Sequence, residues 1–164
     1  ENHALWSTLS IDAHPASAHA NQTDIKINAK FLNKDGNALK EVNTLASHEE
    51  AVLLLKLERN APGNSDLVIR GALPSGTVLY RALDEEHDKN AFGNLVTPRI
   101  LQRQGNRFTM ILDGERIKNL QKISIGLSLR PDLCGLLIMP ALLVEDPASA
   151  SIDMYSVAEH VTVK

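Results

Sequence analysis

An all-β sandwich of antiparallel sheets is the fold class this sequence predicts, and three observations predict it. Apolar residues recur at every second position in "DIKINAKFL", "RFTMILDG" and "KISIGLSLR", the period of a strand with one buried face. Gly, Pro, Asn and Asp punctuate nearly every gap between such runs, at the short, regular spacing of sandwiches and barrels. Long helical periodicity is missing.

The 164 residues make one domain's worth of chain, read as a single sandwich over 1–164. Residues 1–22 are expected to form a loosely ordered N-terminal segment, with "ALWSTLSI" as its apolar run. In "DIKINAKFL", Ile25, Ile27, Ala29 and Phe31 face one way and Lys26, Asn28 and Lys30 the other. The strand runs into "NKDGN", where Asp35-Gly36 signals a hairpin turn because glycine tolerates positive φ. "SHEEAVLLLKLERN" has two readings. Ser47 and Glu50 stand at capping-box spacing, a helix start, yet Leu53, Leu55 and Leu57 alternate with Leu54, Lys56 and Glu58. A strand entered through a polar turn is the favoured one.

Next come the apolar runs "DLVIRGAL", "TVLYRAL" and "NLVTPRIL". "QRQGN" reads as a hairpin turn ahead of "RFTMILDG", in which Phe108, Met110 and Leu112 share a face. "GERIKNLQ" suits one turn of helix crossing from sheet to sheet. "KISIGLSLR" places Ile123, Ile125, Leu127 and Leu129 inward. With "GLLIMPALLV", "SIDMYSV" and "HVTVK", the prediction is nine or ten strands and at most that short crossing turn.

Composition removes several functions. A net charge of −3 argues against a nucleic-acid surface, which needs concentrated positive charge. Aromatic content of 4% leaves few platforms for bases to stack on. The longest apolar stretch, Leu133 to Val144, contains Pro140 and falls short of the roughly 20 helical residues that span a bilayer. Cys134 is the single cysteine, so no intrachain disulfide forms, and its apolar context "DLCGLLIM" predicts a buried, inert thiol. Absence of disulfides fits the cytosol and also bacterial periplasmic domains. The start "ENHALW", without methionine, suggests a removed export signal and a periplasmic or secreted protein, with the cytosol left open.

Between Glu49 and Leu83 the chain shows a strand ending in Arg59-Asn60, a Pro-Gly loop, a second strand, the turn "LPSG" and a third strand. Pro74 presets φ at the second turn position and Gly76 closes the turn. This stretch resembles the immunoglobulin-like sandwich domains of bacterial surface and exported proteins, whose central hairpin often carries a Leu-Pro-x-Gly turn. The resemblance implies an immunoglobulin-like β-sandwich with an adhesive, structural or scaffold role. It carries over no catalytic residues.

Candidate sites are few. "RALDEEHDKNAFGN" gathers Asp84, Glu85, Glu86, His87 and Asp88. Consecutive acids on an extended chain point in opposite directions, whereas a calcium loop needs them to alternate around a glycine. The expected state is a mobile, hydrated loop, with a weak cation site as the sharper alternative. At the start of the chain, "ENH" would let a free amine, two amides and His3 supply four nitrogens in a plane, which suits Cu(II) or Ni(II). His14 and His19 flank Pro15 and complete a candidate metal set with His3. Nucleophile elbows and glycine-rich phosphate loops are missing, although a triad assembled in space would leave no trace in the sequence. Arg99, Arg103 and Arg107 line a hairpin and suit an anionic partner or a solvated edge protected by charge.

"GLLIMPALLVED" is the most informative stretch. Apolar residues at consecutive positions predict a strand covered on both faces, whereas Pro140, which lacks an N–H, belongs at an edge or a bulge. Leu136, Leu137, Ile138, Met139, Pro140 and Leu142 are therefore the candidate interface. Its cover would be another part of the chain, a second copy in a homodimer, or a strand added by a protein partner. A non-enzymatic, exported interaction or structural module acting through sheet edges and loops is the leading expectation. A periplasmic metal-binding protein and an enzyme with a site hidden from the sequence are the alternatives.

Overall fold

The computed structural model of the protein describes residues 25–164. The readings of "ALWSTLSI" and of the segment 1–22 lie outside the described residues. Numbered along the chain, β1 (Ile25–Asn33), β3 (Ala51–Arg59), β5 (Thr77–Ala82) and β8 (Lys122–Pro131) form a four-stranded sheet in the order β1-β3-β8-β5. A five-stranded sheet contains β4 (Leu67–Ala72), β6 (Ile100–Gln104), β7 (Arg107–Leu112), β10 (Leu142–Asp146) and β11 (Ser151–Tyr155), ordered β11-β10-β4-β7-β6. A small third sheet, ordered β2-β12-β9, joins β2 (Thr44–Leu45), β12 (His160–Val163) and β9 (Gly135–Ile138). All pairings are antiparallel except β2 with β12. The short β2 and the division of one apolar run into β9 and β10 raise the number of strands to twelve among the described residues.

Alternation does what it predicts. Leu53, Leu55, Leu57, Ile123, Ile125 and Leu127 from the four-stranded sheet meet Ile69, Met110, Leu112 and Val144 from the five-stranded one in a single core. The third sheet adds Leu45, Val161 and Val163 to the same core. "SHEEAVLLLKLERN" is a strand, because β3 lies between β1 and β8 and buries Ala51 through Leu55 without a break. On its second face, Val52 and Leu54 join Leu32, Leu83 and Leu95 in a separate apolar cluster, with Phe92 packed against it. The segment that follows β5 thus folds back over the sheet. Gly126 permits this approach: a Cβ there would collide with the Leu83 side chain, and the Leu83 N–H donates to the Gly126 carbonyl at 2.8 Å.

Two turns differ from expectation. "LPSG" bends as its chemistry requires, with Gly76 at φ 71° and the Thr77 N–H donating to Pro74 O at 3.1 Å. It is nevertheless a corner between sheets, because β4 pairs with β7 and β10 while β5 pairs with β8. The Asp35-Gly36 turn forms, with Gly36 at φ 84°, but it closes only an isolated bridge between Leu32 and Ala38. The neighbour of β1 is β3.

"GERIKNLQ" is a helical turn, α2 (Gly114–Ile117), carrying the chain from β7 in one sheet to β8 in the other. Asp113 caps it by accepting the Glu115 N–H at 3.0 Å. Its far end is held by Arg59, only 6% exposed at the end of β3. The guanidinium donates to the carbonyls of Gly63 at 3.0 Å and Leu120 at 2.6 Å, and to that of Ile117. Burial lowers the Arg59 pKa, and the Asp146 carboxylate offsets part of that effect.

Loss of this fork would leave buried carbonyls unpaired, each at about 1–3 kcal/mol. Arg59→Ala is therefore expected to lower the unfolding free energy by about 3 kcal/mol in urea titrations. Arg59→Lys should recover less than half, because one ammonium cannot span the same carbonyls. A loss under about 1 kcal/mol in the alanine variant would contradict this role.

Candidate functional site

The run "GLLIMPALLVED" does not form one strand covered on both faces. It divides at Pro140 into β9 of the three-stranded sheet and β10 of the five-stranded sheet. Proline ends the first ladder and lets the chain change sheets. Side chains of the candidate interface accordingly go to different places. Leu136 and Ile138 stand 68% and 71% exposed, Leu137 is half-buried against the core, and Met139 and Leu142 are buried. Pro140 is half-buried.

β9 is an edge. It pairs with β12 on one side, Leu136 opposite Thr162 and Ile138 opposite His160, and no strand flanks its other side among the described residues. The approach to it is anchored. Asp132 accepts from Arg130 Nε at 2.8 Å and stands 3.4 Å from His48 Nδ1. The Arg130 guanidinium, and to a lesser degree His48, hold the Asp132 carboxyl below its ordinary pKa. The Asp132 N–H donates to Gly76 O at 2.8 Å, and the Leu133 side chain covers the spot where a Gly76 Cβ would sit. Gly135 then begins β9 at φ 129°, a left-handed-side conformation open to glycine. The Met139 N–H donates to Glu159 O at 3.1 Å and pins the far end.

Cys134 is exposed, contrary to the inert, buried thiol that its neighbours predict. It precedes β9 in a turn, and the apolar residues on either side of it, Leu133 in the turn and Leu136 in β9, are exposed as well. Apolar neighbours in sequence imply burial only where the backbone returns to the core, and here it does not.

The acidic stretch is built rather than loose. Asp84 accepts from the N–H groups of Glu86 at 2.7 Å and His87 at 3.1 Å, and lies 3.0 Å from His87 Nδ1. These bonds, that to Glu86 first, hold the Asp84 pKa down to about 2. Asp88 receives both arms of Arg81, at 2.8 and 3.1 Å, and the Asp84 N–H at 2.7 Å. Glu85 is paired with Arg116 of α2. After it comes α1 (Lys89–Phe92), which delivers Phe92 to the outer cluster. Asp84, Glu85 and Asp88 each have a partner of their own, so they do not converge on a point. Among the described residues, no group of three or more His, Cys, Asp or Glu side chains is arranged to hold a metal. His3, His14 and His19, the candidate Cu(II) or Ni(II) ligands, lie outside the described residues.

Of the three arginines at the β6–β7 hairpin, Arg99 and Arg103 are occupied, and Arg107 is exposed at the start of β7. Arg103 donates to Leu79 O at 2.9 Å and to Tyr80 O, tying one sheet to the bulged edge strand of the other. Arg99 meets Asp66 at 3.0 Å.

Comparison with protein-family models gives no match, and comparison with curated proteins gives none either. Solved structures do match. Salmonella α-2-macroglobulin, as a Y1175G mutant, aligns with a TM-score of 0.68 at 15% identity over 87% of this chain and 9% of that protein. The likeness is one of fold. An Escherichia coli α-2-macroglobulin fragment running from domain MG7 to the C-terminus aligns at 0.64 and 15% identity, over 87% of this chain and 24% of the fragment. BcpA, the major pilin subunit of Bacillus cereus, aligns at 0.54 and 11% identity over 85% of this chain and 40% of the pilin. The chain thus spans between about a tenth and two-fifths of these proteins. An immunoglobulin-like β-sandwich, the fold implied by the stretch from Glu49 to Leu83, is the architecture they share with it.

Two measurements test this geometry. Asp84 and, to a lesser degree, its neighbouring acids raise the His87 pKa above 6.5. The histidine's contribution is full below 6.5 and is lost as pH rises through the raised value, whereas that of Asp84 is full above 3.8 and is lost as pH falls through about 2. The turn is therefore best held between 3.8 and 6.5. In Asp84→Asn, NMR titration should show His87 titrating at lower pH than in the parent protein, and an unchanged midpoint would contradict the contact. Secondly, Cys134 should react with a soluble disulfide reagent in the folded protein without denaturant. A thiol that reacts only after unfolding would show that it is buried.

Proposed function

We propose that the domain is a non-enzymatic interaction and structural module of an exported protein, and that it takes up a protein partner along β9. The observation that carries this reading is the edge itself. β9 has no charged residue and presents Leu136 and Ile138 outward, with Leu133 beside them at 52% exposure. Soluble proteins guard such edges with charge, proline or a covering segment, because unpaired N–H and C=O groups recruit further strands. The four-stranded sheet follows that rule, with Lys26, Lys30 and Lys56 on its outer face. β9 does not. Strand addition uses main-chain hydrogen bonds for affinity and alternate side chains for selection, and Leu136 and Ile138 are at the alternate positions.

The solved structures of similar fold support a module within something larger. This chain corresponds to a small part of the macroglobulins, and BcpA is by its description a pilin subunit. A periplasmic or surface location belongs to this reading.

A photoreactive residue at position 136, introduced in the organism of origin, should give one discrete cross-linked species, and the same probe at Lys56 should give none. Leu136→Asp with Ile138→Asp should leave stability within about 0.5 kcal/mol of the parent, since both side chains are already in water. The same pair of changes should abolish the adduct obtained from a probe at Thr162. Equal adducts from positions 136 and 56, or none from either, would overturn the assignment.

A further inference from the structure

The two large sheets end on the same side of the sandwich, β5 in one and β6 in the other, and one side chain joins those ends. Among the described residues, β5 pairs only with β8 and β6 only with β7, so each leaves a row of backbone N–H and C=O groups without a strand partner. Such rows recruit further strands unless something closes them. Register gives Arg103 its place. It stands opposite Phe108, which is buried, so the two share the face of their sheet that looks into the sandwich. An unpaired guanidinium inside would be strongly destabilising, but on the last strand of a sheet it has a way out. Arg103 crosses the open side of the sandwich and donates to Leu79 O at 2.9 Å and to Tyr80 O.

β5 is shaped to receive it. Leu79 lies opposite Leu129 and Arg81 opposite Ser128, so Tyr80 is one residue too many for the ladder and forms a bulge. Successive carbonyls of a regular strand point to opposite sides, whereas those of Leu79 and Tyr80 both reach Arg103. We infer that Arg103 is a clasp that shuts both edges on this side of the sandwich against strand addition. It closes β5 by occupying two of its carbonyls, and β6 by setting a charge on the inward face of an edge strand. A strand arriving at β5 finds those acceptors taken. One arriving at β6 would have to cover an inward-pointing charge, and bulges and inward charges are both means by which natural sheets protect their edges.

The clasp accounts for a contrast between edges. β5 and β6, of six and five residues, are longer than the four-residue β9 and would be better templates, and they are the ones that are shut. β9 has no bulge in its pairing and no charge in its sequence. Several open edges on one module would let copies join into aggregates, and closing this pair directs strand addition elsewhere. The bonds of Arg103 stand whatever occupies β9, so the inference does not depend on the partner proposed there. A side chain that merely tied two sheets together would show itself in stability and not in association, which separates the two roles.

Leu136→Asp with Ile138→Asp serves as the background for the test, so that β9 takes no part. In that background Arg103→Ala should at least double the weight-average mass in sedimentation at about 100 µM, within the range where exposed strand edges associate. The route is β5 of one copy pairing with β5 of another, an isologous contact. Far-UV circular dichroism should stay that of a β-sandwich, because Arg103 is a surface side chain. Should the alanine variant lose that spectrum, the test passes to Arg103→Met, which keeps the stem and removes charge and donors. Val78→Glu, which adds a charge to β5 at an exposed position, should return the mass to the background value. A folded Arg103 variant whose mass equals the background's, whatever its thermal midpoint, would overturn the inference, as would association that Val78→Glu leaves undiminished.

Discussion

Everything in this molecule follows from a strand that must be kept dry on both sides. "AVLLL" is apolar at five successive positions and lies between two other strands. The sandwich core takes one face of it. The other would be a band of Val52 and Leu54 in water, at about 1.5–3 kcal/mol for each large side chain left exposed. The chain meets this need with the stretch after β5, which is pinned by Asp84, Asp88, Arg81 and the Arg116–Glu85 pair and lowers Leu83, Phe92 and Leu95 onto the sheet. The charged loop and the apolar cover are one device. Its carboxylates hold the backbone in place, and the backbone carries the hydrophobic groups.

That solution is not repeated elsewhere among the described residues. β9 and the outer face of the five-stranded sheet carry large apolar side chains with no covering segment and no lysine guard. Among the described residues, then, a network of hydrogen bonds keeps one sheet face dry, while an edge and a second face carry exposed apolar side chains. The ionisable groups tell the same story from the other side. Arg59, Arg103, Asp84 and Asp88 are all engaged in holding backbone or one another, which suits a scaffold.

Much of the architecture is legible in the residues because period-two alternation is a local signal. Ile25 to Phe31, Phe108 to Leu112 and Ile123 to Leu129 each declare a strand and its buried side without outside help. What sequence reading misses depends on partners distant in the chain. Leu73-Pro74-Ser75-Gly76 makes a sound turn, but only the choice of neighbours for β4 and β5 makes it a corner between sheets. Cys134 sits among apolar residues, and its exposure follows from the direction the backbone takes after Asp132. Arg59 looks like a polar strand end, and its burial depends on carbonyls about sixty positions away. Pro140 is the available clue to the divided strand, since a proline with four apolar residues on each side marks a break as readily as an edge.

Among the described residues, apolar surface is unevenly distributed, with one sheet face covered and an edge and a second face exposed. Methyl-resolved NMR with a soluble nitroxide tests it most directly in dilute protein. The methyl signals of Leu136, Ile138, Ile152 and Met154 should be strongly broadened, while those of Val52, Leu54, Leu83 and Leu95 stay sharp. Equal broadening of both sets, or sharp signals from Leu136 and Ile138, would contradict the account.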